Sequence, residues 1–187
     1  MKIPLCQVCL KSGLLCLSCR RMLEEGRITD LDIKIMRELL NLENKYPQIK
    51  EATYVKSVET EKLIVTLVGG GRVPAYIWKK AAYDLAKKLG KSVKIIERTP
   101  SIRSFVEQII YPARVSEVST LWLHDIRESH VKIRRSEARK SPVPLDVVSK
   151  LVKELINENL KFQIVEDRFF RPKSRRGRPK SQISRGS

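Results

Sequence analysis

The sequence predicts an α+β protein: a small cysteine-bearing N-terminal module, two similar units of helix, two strands, helix and strand, and a basic tail. Three observations carry this expectation. The apolar pattern runs twice, in the same order, between helical three-or-four spacing and strand-like runs. All four cysteines fall before residue 20, and no acidic residue follows Asp167.

In the first unit, Thr29-Asp30-Leu31-Asp32 is a capping-box-like start, and Leu31, Ile35, Leu39 and Leu42 then form one apolar face, closed by Pro47. Two strand-like runs follow, Thr53 to Glu59 and Lys62 to Val68. In the second, Leu63, Val65 and Leu67 alternate with Ile64, Thr66 and Val68, so both faces are expected to be buried. Gly69-Gly70-Gly71 ends that strand, and Pro74 suits the first turn of a helix. Ile77, Ala81, Leu85 and Leu89 form its stripe, Gly90 its terminator, and Val93 to Glu97 a third strand.

The second unit repeats the order. Ser101 to Tyr111 reads as an amphipathic helix stopped by Pro112, followed by strands at Ser119–Leu123 and His130–Arg135. A helix after Pro144 carries Val148, Leu151, Val152 and Leu155, and a closing strand covers Lys161–Glu166. Leu85-Ala86-Lys87-Lys88-Leu89 before Ile95-Ile96-Glu97 echoes Leu151-Val152-Lys153-Glu154-Leu155 before Ile164-Val165-Glu166. The expected domains are 1–27, 30–97, 101–166 and a tail at 168–187, where eight positive charges, two prolines and few apolar residues predict disorder in the free chain.

The 187 residues carry 38 Lys and Arg against 21 Asp and Glu, a net charge of +17 that attracts phosphate polyanions. No run approaches the roughly 20 apolar residues of a bilayer helix. The N-terminus also lacks the long apolar stretch of a signal peptide, so a cytoplasmic location without membrane contact is expected. Reducing cytosol disfavours a structural disulfide.

The cysteines ask for a metal instead. Cys6-Gln7-Val8-Cys9 and Cys16-Leu17-Ser18-Cys19 are two CxxC pairs six residues apart, with Gly13 available for the reversal between them. Four thiolates complete the tetrahedral shell of a structural Zn2+, leaving no open position for a catalytic water. So small a module has almost no core of its own, so the metal is expected to supply its folding energy and its loss to unfold residues 1–27 alone. An iron–sulfur cluster usually needs different spacing, and a redox pair needs only one CxxC.

Helix, two strands, helix and strand, twice over, is the pattern of type II KH domains with the short helix of the usual pair left unresolved. Ile109-Ile110-Tyr111-Pro112-Ala113-Arg114-Val115 resembles the apolar-Pro-Ala-basic-Val link between the two KH domains of archaeal NusA-like transcription factors. Lys87-Lys88-Leu89-Gly90-Lys91 falls in the expected place, while the cysteine module and the tail lie outside the resemblance. The resemblance implies single-stranded RNA as partner and a role in transcription elongation or termination. KH domains grip the nucleic-acid backbone with a GxxG loop. The family pattern falls here on Ile77-Trp78-Lys79-Lys80-Ala81, and near Arg139-Lys140-Ser141-Pro142 in the second repeat, without either glycine.

The replacement expected from the residues is basic and aromatic. Lys79, Lys80, Arg139 and Lys140 would sit at or before helix N-termini, where the dipole also favours phosphate, and Trp78 would stack on a base; the alternative is a Trp78 packed in the core with the lysines on a solvated face. In the tail, Arg175, Arg176 and Arg178 are further nucleic-acid candidates. Arg176-Gly177-Arg178-Pro179 is the core of an AT-hook, but four such residues arise easily in an Arg/Lys/Gly/Pro tail, so the tail reads first as a general phosphate-binding extension, with DNA as the alternative partner. Gly69-Gly70-Gly71-Arg72 is not a phosphate-binding P-loop, because no Gly-Lys-Ser/Thr follows. His124 and His130 have no nucleophile constellation and no carboxylate pair stands out, so no catalysis is expected. The competing reading is a factor bound to DNA, RNA polymerase or the ribosome, with the degenerate KH folds serving as protein-interaction platforms.

Overall fold

The computed structural model describes residues 1–123 and 126–167, so His124 and the tail candidates Arg175, Arg176 and Arg178 lie outside the described residues. Two short helices open the chain, α1 (Gln7–Ser12) and α2 (Leu17–Glu24). The first unit comprises α3 (Asp30–Leu42), a 3-10 turn at Pro47–Glu51, β1 (Thr53–Glu59), β2 (Leu63–Gly69), α4 (Ala75–Leu89) and β3 (Ser92–Glu97). The second comprises α5 (Ile102–Ile110), β4 (Glu117–Leu123), β5 (Ile126–Arg134), α6 (Arg135–Ala138), α7 (Leu145–Ile156) and β6 (Asn159–Val165).

Each unit holds a three-stranded sheet, β1-β2-β3 and β4-β5-β6. The first pair of each is antiparallel and the second parallel, with α4 or α6–α7 making the crossover. This is a tandem KH-like arrangement, and the two units are the repeats anticipated from the sequence. They differ in the crossover: α6 is the short helix preceding α7, whereas residues 70–74 lead from β2 into α4 without one.

Local signals account for the helix ends. Thr29 Oγ1 accepts from the Asp32 amide at 3.2 Å and Asp32 Oδ2 accepts from the Thr29 amide at 2.8 Å, closing a capping box on α3. Gly90 and Asn157 terminate α4 and α7 with φ of 68° and 56°. Sequence reasoning misses α1 and α2, because helices of 6 and 8 residues carry too little periodicity to be read. It also begins β5 at His130 instead of Ile126. Residues 127–130 are polar and alternate with nothing, so backbone pairing with β4 decides that stretch.

Two apolar clusters hold the molecule. Alternate residues of β2 point to opposite faces, so Ile64 and Val68 join the first cluster while Val65 and Leu67 join the second. The first unites Leu5, Cys9, Leu10, Cys19 and Ile28 with Ile35, Met36 and Leu39 of α3 and the inner face of α4. The cysteine module therefore shares its core with the first unit, which corrects the expectation that residues 1–27 stand apart. The second packs α5 and α7 against the other face of the first sheet. Gln108 of α5 also donates to the Glu97 carbonyl at 3.0 Å and accepts from its amide at 2.8 Å, capping the open edge of β3.

The Pro-Ala-basic-Val segment lies inside the second unit, joining α5 to β4, and is not the link between the units. Ala113 and Val115 are 2% exposed and belong to the second cluster. Its backbone is held by Arg103 Nη2 donating to the Val115 carbonyl (2.7 Å) and by Glu137 accepting from the Arg114 amide (2.9 Å). The motif is thus a corner anchored by two buried side chains. No helix among the described residues is long and apolar enough to cross a membrane.

Candidate functional site

The four cysteines converge. Each CxxC stands at a helix start, with Cys6 and Cys16 as the N-caps of α1 and α2, and Gly13 turns the chain between them at φ 78°. All four Sγ atoms lie within 4.8 Å of one another. Cys6 Sγ is 2.9 Å from Cys9 Sγ and 3.7 Å from Cys19 Sγ. Sulfurs about 2.3 Å from one ion at tetrahedral angles stand roughly 3.8 Å apart, so the cluster is capable of coordinating a metal ion.

The surroundings draw the two exposed thiols toward thiolate and hold the two buried ones back, with Cys9 and Cys19 both raised. The Cys9 thiol and amide hold Cys6 below its ordinary pKa, and hydrogen bonding to the Cys19 amide draws Cys16 down to about 7. Cys9 is pushed up to about 12, first because its thiol hydrogen-bonds to Cys6. The Cys16 amide donates to Cys9 Sγ at 3.2 Å, an outer contact that orients a ligand sulfur. Residues 1–23 carry Lys2, Lys11, Arg20 and Arg21 and no carboxylate, which offsets the negative charge of a four-thiolate site.

The grip residues are placed differently from expectation. Ile77 to Ala81 lie inside α4, and Lys79 and Lys80 are its fifth and sixth residues, beyond the reach of its N-terminal amides. Trp78 is 4% exposed and its Nε1 donates to Glu97 Oε1 at 2.7 Å, so the ring is a core side chain and not an open stacking face. Arg139 caps the C-terminal end of α6, where the dipole disfavours phosphate, and Lys140 is paired with Glu137. The helix-N-terminus placement is corrected for Lys79 and Lys80, while Arg139 and Lys140 lie in the loop that leads to α7. By topology, the counterpart of the loop between α6 and α7 is residues 70–74, which do contain glycine. Gly71 has φ 80°, and a Cβ there would meet the Ala52 amide nitrogen at 3.0 Å, so this glycine serves an internal approach.

What α4 presents outward is aromatic and basic. Tyr76, Lys80, Tyr83 and Lys87 are spaced by four, three and four residues and form one stripe. Tyr76 and Tyr83 are 57% and 61% exposed, and Tyr111 beside them at the end of α5 is 61% exposed. Lys79, Lys80 and Lys87 hold their ammonium groups 5.0, 5.6 and 4.5 Å from the ring centres of Tyr111, Tyr76 and Tyr83. On the side toward α3 the charges are matched, Lys88 with Glu38 and Asp84 with Lys45. Among the described residues, none of the three outward lysines has an ion-pair partner. The tyrosines were legible only as members of a lysine-rich helix, since nothing in the spacing tells which side of α4 stays open.

Beside the stripe, an apolar groove of about 720 Å3 runs between α4, β3 and α5, with Trp78, Lys79, Tyr83, Lys94, Glu107 and Tyr111 on its walls. Ala75, Ala82 and Ala86 leave it open on the α4 side. Lys94 donates to the Ile109 carbonyl at 2.6 Å, and burial lowers its pKa to about 8.

No family model matches the chain, and no curated protein matches its sequence. A solved structure titled "Crystal structure of APE1850" is similar in outline, with a TM-score of 0.47 and 13% identity, covering 71% of this chain and 96% of that one. The fold reading rests on strand order and repeat instead, and a KH-like fold is suited to nucleic-acid or protein interaction.

Proposed function

We propose that this protein binds single-stranded RNA in the manner of a NusA-like transcription elongation or termination factor, with Zn2+ bound by Cys6, Cys9, Cys16 and Cys19 as a structural ion. The single observation carrying the RNA reading is the outward face of α4. Among the described residues, three lysines stand there without carboxylate partners, while the ionic groups on the side toward α3 are paired. Unpaired, converging ammonium groups release counterions on meeting a phosphate chain. The wider charge agrees, because setting aside the eight positive charges of 168–187 still leaves +9 of the net +17.

The zinc role is structural on this reading. The ligands are four thiols, two of them buried in a core cluster, and a closed tetrahedral shell has no position for substrate. A second reading, protein-interaction platforms for DNA-, polymerase- or ribosome-bound complexes, is favoured by the helical course of residues 77–81, which leaves no glycine grip there. Binding of a fluorescent single-stranded RNA and of duplex DNA at equal salt separates the two. The expected result is preference for the single strand, surviving deletion of residues 168–187 while total affinity falls. Loss of all RNA binding on that deletion would move nucleic-acid affinity to the tail and leave the KH-like units to proteins.

A further inference from the structure

We infer that the strand is held on the tyrosine–lysine face shared by α4 and the end of α5, with bases stacked on Tyr83 and Tyr111 and phosphates on Lys79, Lys80 and Lys87. This rests on the proposed function and locates it at residues outside the family's glycine grip. The site is joint, because Tyr83 belongs to the first unit and Tyr111 to the second.

Exposed tyrosines cost hydration, and three of them on one face beside a groove form a patch that solubility alone does not ask for. The lysines already lie over the rings they would yield to a base. Lys79 lines the same groove as both stacking rings, four residues before Tyr83 on α4 and 5.0 Å from the Tyr111 ring centre. A base entering above either ring displaces an ammonium group by a few ångströms to a position where it meets the attached phosphate. Alternating rings and cations suit a chain in which base and phosphate alternate. The carboxylates beside the groove do not oppose this arrangement. Glu97 already accepts from Trp78 and Glu107 from the Val115 amide at 3.1 Å, so both are turned to the protein.

The probes are 12-residue oligo(U) and oligo(dU), which share bases and phosphates and differ in the 2′-hydroxyl, measured by fluorescence anisotropy with the full chain. Replacing both rings, Tyr83→Leu with Tyr111→Leu, is expected to raise Kd at least about 25-fold, from roughly 5- to 150-fold for each stack lost. Tyr83→Phe with Tyr111→Phe keeps the stacking faces and is expected to stay within about twofold of the parent. Changing Lys79, Lys80 and Lys87 to Gln should flatten the slope of log Kd against log salt by about 2, at about 0.7 per phosphate contact. Photocrosslinking of an oligonucleotide carrying 5-iodouracil, mapped by mass spectrometry, should mark Tyr83 or Tyr111. Circular dichroism confirms that each variant is folded. Unchanged affinity in the leucine pair, or crosslinks confined to 168–187, would overturn this site while leaving RNA binding intact. An unaltered chain with no saturable binding to either oligonucleotide would defeat the proposed function along with it.

Discussion

Replacing Cys16 with Ser should destabilise the first KH-like unit, although Cys16 itself is exposed and contributes no packing. The route is the metal. Helices of 6 and 8 residues do not persist alone, and a structural four-thiolate zinc site supplies roughly 10–16 kcal/mol to a small fold. With one ligand gone the module should loosen, releasing Leu5 (3% exposed), Leu10 (0%) and Ile28 (5%) from the cluster they form with Ile35, Met36 and Leu39. At about 1.5–3 kcal/mol each, full exposure of three aliphatics would cost about 5–9 kcal/mol. Residual collapse of the released segment reduces this to about 3–5 kcal/mol, a large share of the total stability of an ordinary domain. At 2–4 °C per kcal/mol the transition should fall by about 10 °C. The assay is calorimetric melting of the parent, the parent treated with a strong zinc chelator, Cys16→Ser and Cys9→Ser, with metal content by elemental analysis. Chelation and Cys16→Ser should match, and Cys9→Ser should be at least as damaging, since Cys9 is also buried. A parent that holds zinc and melts unchanged after its removal would refute the reasoning. So would Cys9→Ser alone causing the loss, because that pattern belongs to packing.

Asp32→Ala should cost about 2–5 kcal/mol in urea unfolding. Its buried carboxylate accepts from the Thr29 amide and hydroxyl, the Ser57 amide at 2.8 Å and the Tyr54 hydroxyl, and alanine strands those donors. Burial, reinforced by the Asp32 charge, also holds the Tyr54 hydroxyl far above its usual range, so it remains a donor at any working pH. Lys94 sets a pH dependence. Its folded pKa of about 8 lies below its ordinary 10.5, so between these values the unfolded chain binds more protons and stability rises with pH. The urea midpoint of Lys94→Met, compared with the parent from pH 7.5 to 10, should lack that rise, and parallel curves would reject the assignment. Gly71→Ala should destabilise by about 2–3 kcal/mol, because a left-handed φ of 80° coincides with the Ala52 backbone at 3.0 Å. Gly70→Ala, which meets only Thr53 Oγ1 at 3.6 Å, should cost less. Equal denaturation midpoints for the two would remove the packing argument.

Much of the fold was legible because its signals are local. The Thr29–Asp32 capping box, Pro74 with Gly90 around α4, and the doubly apolar β2 each depend on residues within a few positions of one another. The four cysteines capable of holding a metal were readable for the same reason, since CxxC spacing places two sulfurs on one turn before any tertiary contact forms. The short helices and the polar start of β5 were not, because their conformation depends on neighbours distant in the chain.

By itself, the sequence determined the repeat, the order of elements, the four converging cysteines and the excess of positive charge. Tertiary structure decided which of those residues face outward. Trp78, open to stacking or to the core on sequence, is buried against Glu97, while Tyr83 and Tyr111, 28 residues apart, line one groove. The cause is geometric. Helical periodicity tells which residues of α4 share a side, but only the packing of α3 on one flank and of β3 and α5 on another shows which side remains in water. The same holds for the cysteine module. Its ligands can be counted along the chain, but its dependence on the first unit appears only where Leu10 meets α3.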